Sequence, residues 1–113
     1  GTSYSTMHGR YMITRIYIEA PKEVPVIGSI QALEHTLVEQ VGGFTAFAGT
    51  GVWKGPNWKV VEELAYVYEI VYDDSVPGGF GLSAIREFAL AMKELLKQQE
   101  VLLVHIPAEK EVL

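Results

Sequence analysis

The chain contains no cysteine, which removes disulfides, thiolate nucleophiles and cysteine-based zinc and iron–sulfur sites together and leaves the redox compartment open. Basic residues are scarce: 9 Lys and Arg stand against 14 Asp and Glu, for a net charge of −5. No run of lysines or arginines offers the clustered basic face that a phosphate backbone needs, so no nucleic-acid partner is expected. No apolar stretch approaches the ~20 residues of a membrane-spanning helix, and the first residues lack the charged and apolar regions of a signal peptide. The expectation is a cytoplasmic protein without a membrane partner. Walker and dinucleotide spacings are missing, as are the ordered carboxylates of a calcium loop, so neither cofactor nor metal is expected.

What the chain does have is apolar pattern. At 113 residues it is long enough for one domain that buries roughly two thirds of its unfolded surface. The stretch from Phe44 to Asp74 reads as two long strands in one hairpin, because β-branched and aromatic residues fill both arms and Gly55, Pro56 and Asn57 lie between them. Leu64, Tyr66, Tyr68, Ile70 and Tyr72 recur at every second position and share a face. The intervening Ala65, Val67, Glu69 and Val71 are mostly apolar too, so the second face also calls for cover. A four-residue loop from Lys54 to Asn57 would set Trp53 across from Trp58, a pair worth about 0.5–1 kcal/mol. Gly49 and Gly51 would then oppose Glu62 and Val60.

Residues 1–9 are polar and aperiodic and read as a frayed tail or, in part, as a residue of cloning, with Met7 or Met12 as possible natural starts. A single domain is expected from residue 10 to 113. Arg10 to Ala20 is the first strand, with Met12, Ile16 and Ile18 on one face and Tyr11, Ile13, Arg15, Tyr17 and Glu19 on the other. Val26, Ile30, Leu33, Leu37 and Val41 line a helical stripe that ends at Gly42 and Gly43. Ser83 is a plausible N-cap for a second helix to about Gln99, buried through Ile85, Phe88, Ala89, Met92, Leu95 and Leu96. Val101 to Ile106 is a last strand that Pro107 halts, and the closing residues fray or add a short edge strand.

The order βαββαβ predicts an α+β fold, with a four-stranded antiparallel sheet in the order 4-1-3-2 and both helices on one face. The other face would gather Tyr11, Ile13, Tyr17, Ala65, Val67, Val71 and Leu103, more apolar surface than a soluble monomer usually leaves in water. A second copy is expected to cover it, most simply as a homodimer.

This layout resembles the ferredoxin-like superfamily across nearly the whole chain. In its dimeric α+β barrel branch two such sheets enclose a cavity used for cofactor-independent oxygenase or isomerase chemistry. In its trimeric PII-like branch a long hairpin projects and ligands bind between subunits. The segment GFTAFAGTGVWKG followed by VVEELAYVYEI is also similar to small bacterial and phage proteins of unknown function. None of these resemblances carries a catalytic signature onto particular residues here.

Arg15, Glu19, Glu69 and His105 are expected among apolar neighbours on the open sheet face. The structural reading pairs Arg15 with Glu69 across central strands; the functional one has Arg15 hold an anion while Glu69 or His105 moves a proton. Trp53, Lys54, Trp58 and Lys59 at the hairpin tip would serve a partner or ligand, or else close the hairpin. His35 with Glu39 reads as an exposed helical pair, His8 as solvated, Asp73 to Ser75 as a turn and Pro77 to Gly81 as a loop. With no recognisable nucleophile, the leading expectation is a small oligomeric binding or regulatory module, acting on a small molecule or protein through the hairpin tip or an intersubunit cleft. The alternatives are a dimeric barrel enzyme using Arg15, Glu69 and His105, and a purely structural assembly subunit.

Overall fold

A computed structural model describes residues 5–20, 27–75 and 80–113, with side chains from residue 10 onward. Four strands and two helices follow one another as β1 (Ser5–Glu19), α1 (Ile27–Val41), β2 (Thr45–Lys54), β3 (Val60–Asp73), α2 (Phe80–Leu95) and β4 (Leu102–Val112). The strands form one antiparallel sheet in the order β2-β3-β1-β4, the expected order read from the other edge, and the fold is α+β of the ferredoxin-like type.

The helices cover the face of Ile16, Ile18, Tyr68, Ile70 and Tyr72, which join Leu37, Ile85, Phe88, Ala89 and Met92 in one core. Of the expected stripes, Leu37 in α1 and Ile85, Phe88, Ala89 and Met92 in α2 are buried, and Ile30, Leu33, Val41 and Leu96 pack against them partly buried; Val26 lies outside the described residues. Gly42 leaves α1 with φ of +94°, a left-handed geometry that a residue without a Cβ adopts at little cost. Its N–H donates to the Val38 carbonyl at 2.8 Å.

Several boundaries differ from expectation. β1 begins at Ser5 rather than Arg10, because Ser5 to Met7 pair with Lys110 to Val112 after an irregularity in the ladder. β4 runs through Pro107 to Val112; it is an edge strand, where the missing N–H of proline costs no ladder bond. α2 starts at Phe80, so Ser83 lies inside its first turn and is not the N-cap. A Cβ on Gly81 would approach Tyr72 Cδ2 to 2.6 Å, so glycine is what lets this turn sit against the sheet.

The hairpin register is also corrected. Gly49 opposes Ala65, Gly51 opposes Glu63 and Trp53 opposes Val61, with Lys54 and Val60 as the last pair. The turn runs from Gly55 to Lys59, closed by the Gly55 N–H donating to the Lys59 carbonyl at 2.7 Å. Asn57 and Trp58 both take φ of 63° there, so Trp58 stands in the turn and does not face Trp53 across the ladder. Leu64 and Tyr66 share the face of Tyr68 yet remain 53% and 37% exposed, because that end of the hairpin reaches past the helices.

Candidate functional site

Arg15 and Glu69 are cross-strand partners on β1 and β3, on the face that the helices leave open. Arg15 Nε donates to Glu69 Oε2 at 2.8 Å, with the two side chains about a third exposed. The hydrogen bond to Glu69, and then its charge, hold the Arg15 guanidinium even more firmly protonated than usual. Alternation along the strands sets the pair within a mostly apolar field. Ile13 opposes Val71 on one side and Tyr17 opposes Val67 on the other, while Val104 flanks Arg15 on β4. Phe47, which opposes Val67 from β2, is 48% exposed and Val71 42%, whereas Val67 is covered within the chain.

His105 is not part of this group. β4 pairs with β1 so that Val104 opposes Arg15 and His105 opposes Thr14, which puts His105 and Leu103 on the helix side and Leu102, Val104 and Ile106 on the open face. The expected trio of Arg15, Glu69 and His105 is thus divided by the sheet, and the expected place of Leu103 on the open face is corrected with it. The cause lies in the strand itself: VLLVHIP is apolar at both parities, so periodicity alone cannot orient it.

On the helix side His105 joins a short polar chain. Its Nδ1 lies 2.8 Å from Thr14 Oγ1, which lies 3.0 Å from the Tyr72 hydroxyl. Thr14 is wholly buried and Tyr72 nearly so, while His105 is exposed. Because the Thr14 hydroxyl donates its one proton to the Tyr72 oxygen, it is the His105 Nδ1–H that donates to Thr14 Oγ1. The chain links a solvent-facing imidazole to the packed core beside Gly81. Thr14 is the member sequence reading missed; its only signal is a hydroxyl amid the apolar positions Met12, Ile16 and Ile18.

At the hairpin tip the structure brings together two of the four expected residues. Lys54 Nζ stands 4.7 Å from the centre of the Trp58 ring, a cation–π contact worth about 0.5–1 kcal/mol at an exposed site. Trp53 packs along its own strand, since a Cβ on Gly51 would come within 2.7 Å of its ring. Lys59 is exposed beside them. Trp58 is 79% exposed.

His35 and Glu39 meet each other at 3.1 Å on an exposed helix face. Asp73 accepts from the Ser75 N–H at 2.8 Å and from its hydroxyl, and those bonds hold the Asp73 carboxyl below its ordinary range. The side chain of His8 and residues 76–79 lie outside the described residues. Gln98 was not foreseen: it donates from Nε2 to the Glu19 carbonyl at 2.6 Å and accepts the Glu19 N–H at 3.3 Å, fastening the end of β1 to the segment after α2. No helix among the described residues is long and apolar enough to cross a membrane.

No family profile matches the sequence, and no curated protein matches it. Solved structures do. A phage SAM lyase in complex with S-methyl-5'-thioadenosine has a TM-score of 0.70 at 11% identity, over 98% of this chain and 95% of that one. The phage SAM lyase in its apo state gives 0.66 at 14% identity over 99% and 95%. CutA from Synechococcus elongatus PCC7942 gives 0.60 at 5% identity over 96% and 84%. At such identities the likeness is one of fold.

Proposed function

We propose that this protein is a small homo-oligomeric binding module whose open sheet faces meet, holding a small organic ligand in the cleft between copies beside Arg15 and Glu69. The observation that carries this reading is the composition of that face: Ile13, Tyr17, Phe47, Val71, Val104 and Ile106 surround one ion pair. A partner surface would remove this apolar area from water at roughly 25 cal/mol per Å². The ion pair would then supply the polar anchor that orients a ligand in an otherwise apolar site.

The removal of His105 from this face weakens the barrel-enzyme reading, which needed it as a proton carrier. A second reading keeps an enzyme in play on a different observation. Two SAM lyase structures match nearly the whole of both chains, so S-methyl-5'-thioadenosine and SAM are the ligands to try first.

The test is native mass spectrometry of the wild-type chain and of Val71→Lys, followed by a thermal melt with S-methyl-5'-thioadenosine. Wild type is expected as an oligomer, and Val71→Lys as a folded monomer that loses any ligand-dependent rise in Tm. A wild-type chain that stays monomeric at tens of micromolar overturns the module. Loss of SAM on incubation, abolished by Arg15→Met, selects the enzyme instead.

A further inference from the structure

A cleft of about 420 Å³ opens between α2 and the start of β4, lined by Arg86, Ala89, Leu90, Lys93, Gln99, Glu100, Val101 and Leu103. That volume lies within the range of small-molecule sites, roughly 300–1,000 Å³. The cleft sits on the helix side of the sheet, because Leu103 shares the parity of His105. It is therefore separate from the open face around Arg15 and is complete in a single chain.

The α2 residues in the lining, at 86, 89, 90 and 93, follow the i, i+3, i+4, i+7 spacing of one helix face. That face is rotated away from the core stripe of Ile85, Phe88 and Met92, with Ala89 shared between them. Leu90 lies at its centre and is 63% exposed. Arg86 and Lys93 bracket it, about 10.5 Å apart along the axis at ~1.5 Å per residue. Neither cation forms an ion pair with another described residue. Val101 and Leu103 form the opposite, apolar wall.

We infer that this cleft binds a small amphipathic anion, an organic acid whose aromatic or aliphatic body rests on Leu90, Val101 and Leu103 and whose acidic head meets Arg86 or Lys93. The charge of the lining runs against that of the chain as a whole. The protein carries a net charge of −5, yet this lining holds two cations and a single carboxylate, Glu100. A local excess of positive charge beside apolar walls favours an anion over a neutral ligand and disfavours a cation. The long stems of Arg86 and Lys93 can lie along the apolar body while their heads stay in water with the acid.

The probe is 1-anilinonaphthalene-8-sulfonate, an aromatic body with one sulfonate, titrated by fluorescence into the full chain. Its neutral counterpart N-phenyl-1-naphthylamine serves as the control. The expected result is one saturable sulfonate site per chain, weakened at least tenfold in the Arg86→Gln, Lys93→Gln double variant and unchanged in Val71→Ser. The neutral probe should bind more weakly and be indifferent to the double variant. Methyl NMR of the wild type should show Leu90 and Leu103 shifting with the sulfonate probe. Unchanged affinity in the double variant overturns the inference, as does equal loss of both probes or a site that follows Val71→Ser.

Discussion

Neighbouring residues on β1 and β3 are chemically alike and yet meet different surroundings on the two sides of the sheet. Ile16 and Ile70 are wholly buried under the helices, while one residue further along Val71 is 42% exposed. The polar groups differ to match. The covered side uses a hydrogen-bonded chain of Tyr72, Thr14 and His105, whose middle member is a fully buried hydroxyl. The open side uses an ion pair, Arg15 with Glu69, that keeps about a third of its surface in water. A neutral hydroxyl can enter a packed core once both its hydrogen bonds are made, whereas charge is retained where water or a partner can compensate it. Apolar content is shared by the two faces; the kind of polar group tells them apart.

The largest expected effect breaks that comparison directly. Ile70→Ala should cost about 2–5 kcal/mol, since it opens a cavity in a core that cannot collapse around it. Val71→Ala should change the stability of a dilute chain by no more than about 0.5 kcal/mol. Urea denaturation across a range of protein concentrations separates them. The Ile70 variant shifts at every concentration, and the Val71 variant shifts only where copies associate. Equal shifts at high dilution would mean that both faces are already dry in one chain.

A smaller effect sharpens the comparison at its polar positions. Thr14→Val keeps the shape and removes the hydroxyl, leaving the Tyr72 hydroxyl without that partner inside the core. The expected cost is about 1–3 kcal/mol. His105→Ala acts on the exposed end of the same chain and should cost less, since water can replace it. Equilibrium unfolding of both variants checks the order, and a His105 variant as damaging as the Thr14 one would contradict it.

How far the sequence reveals this arrangement varies by element. The helical stripe through Leu33, Leu37 and Val41 and the alternation from Tyr66 to Tyr72 specify element type, and the βαββαβ order then specifies the sheet. The pairing of Arg15 with Glu69 follows because both flanking strands alternate and the strand order makes them neighbours. The side taken by His105 does not follow, as Leu102, Leu103, Val104 and Ile106 are apolar at either parity and only the backbone ladder selects one. Nor does the hairpin register, which depends on Asn57 and Trp58 adopting left-handed dihedrals that residue type alone does not demand. Gln98 reaches across to Glu19 through tertiary proximity, with no local pattern to announce it.

The least expected effect tests whether the covered face stays dry at high pH. Tyr68 is 4% exposed, with the Phe44 and Phe88 rings 5.3 and 5.1 Å away in edge contacts. Burial first, and then the nearby Glu34 charge, raise its phenol above the ordinary value of 10.0. In the unfolded chain that phenol ionises near pH 10. Stability from the neutral buried form is therefore intact below about pH 10 and lost as pH rises from there toward the raised native value, because only the unfolded state gains by releasing the proton. Tyr68→Phe abolishes this loss. The difference in urea midpoint between wild type and Tyr68→Phe should be constant from pH 7 to 9 and then move in favour of the phenylalanine variant as the pH passes 10. A difference that stays flat through pH 11 would mean that Tyr68 ionises as readily folded as unfolded, and that water reaches the face the helices cover.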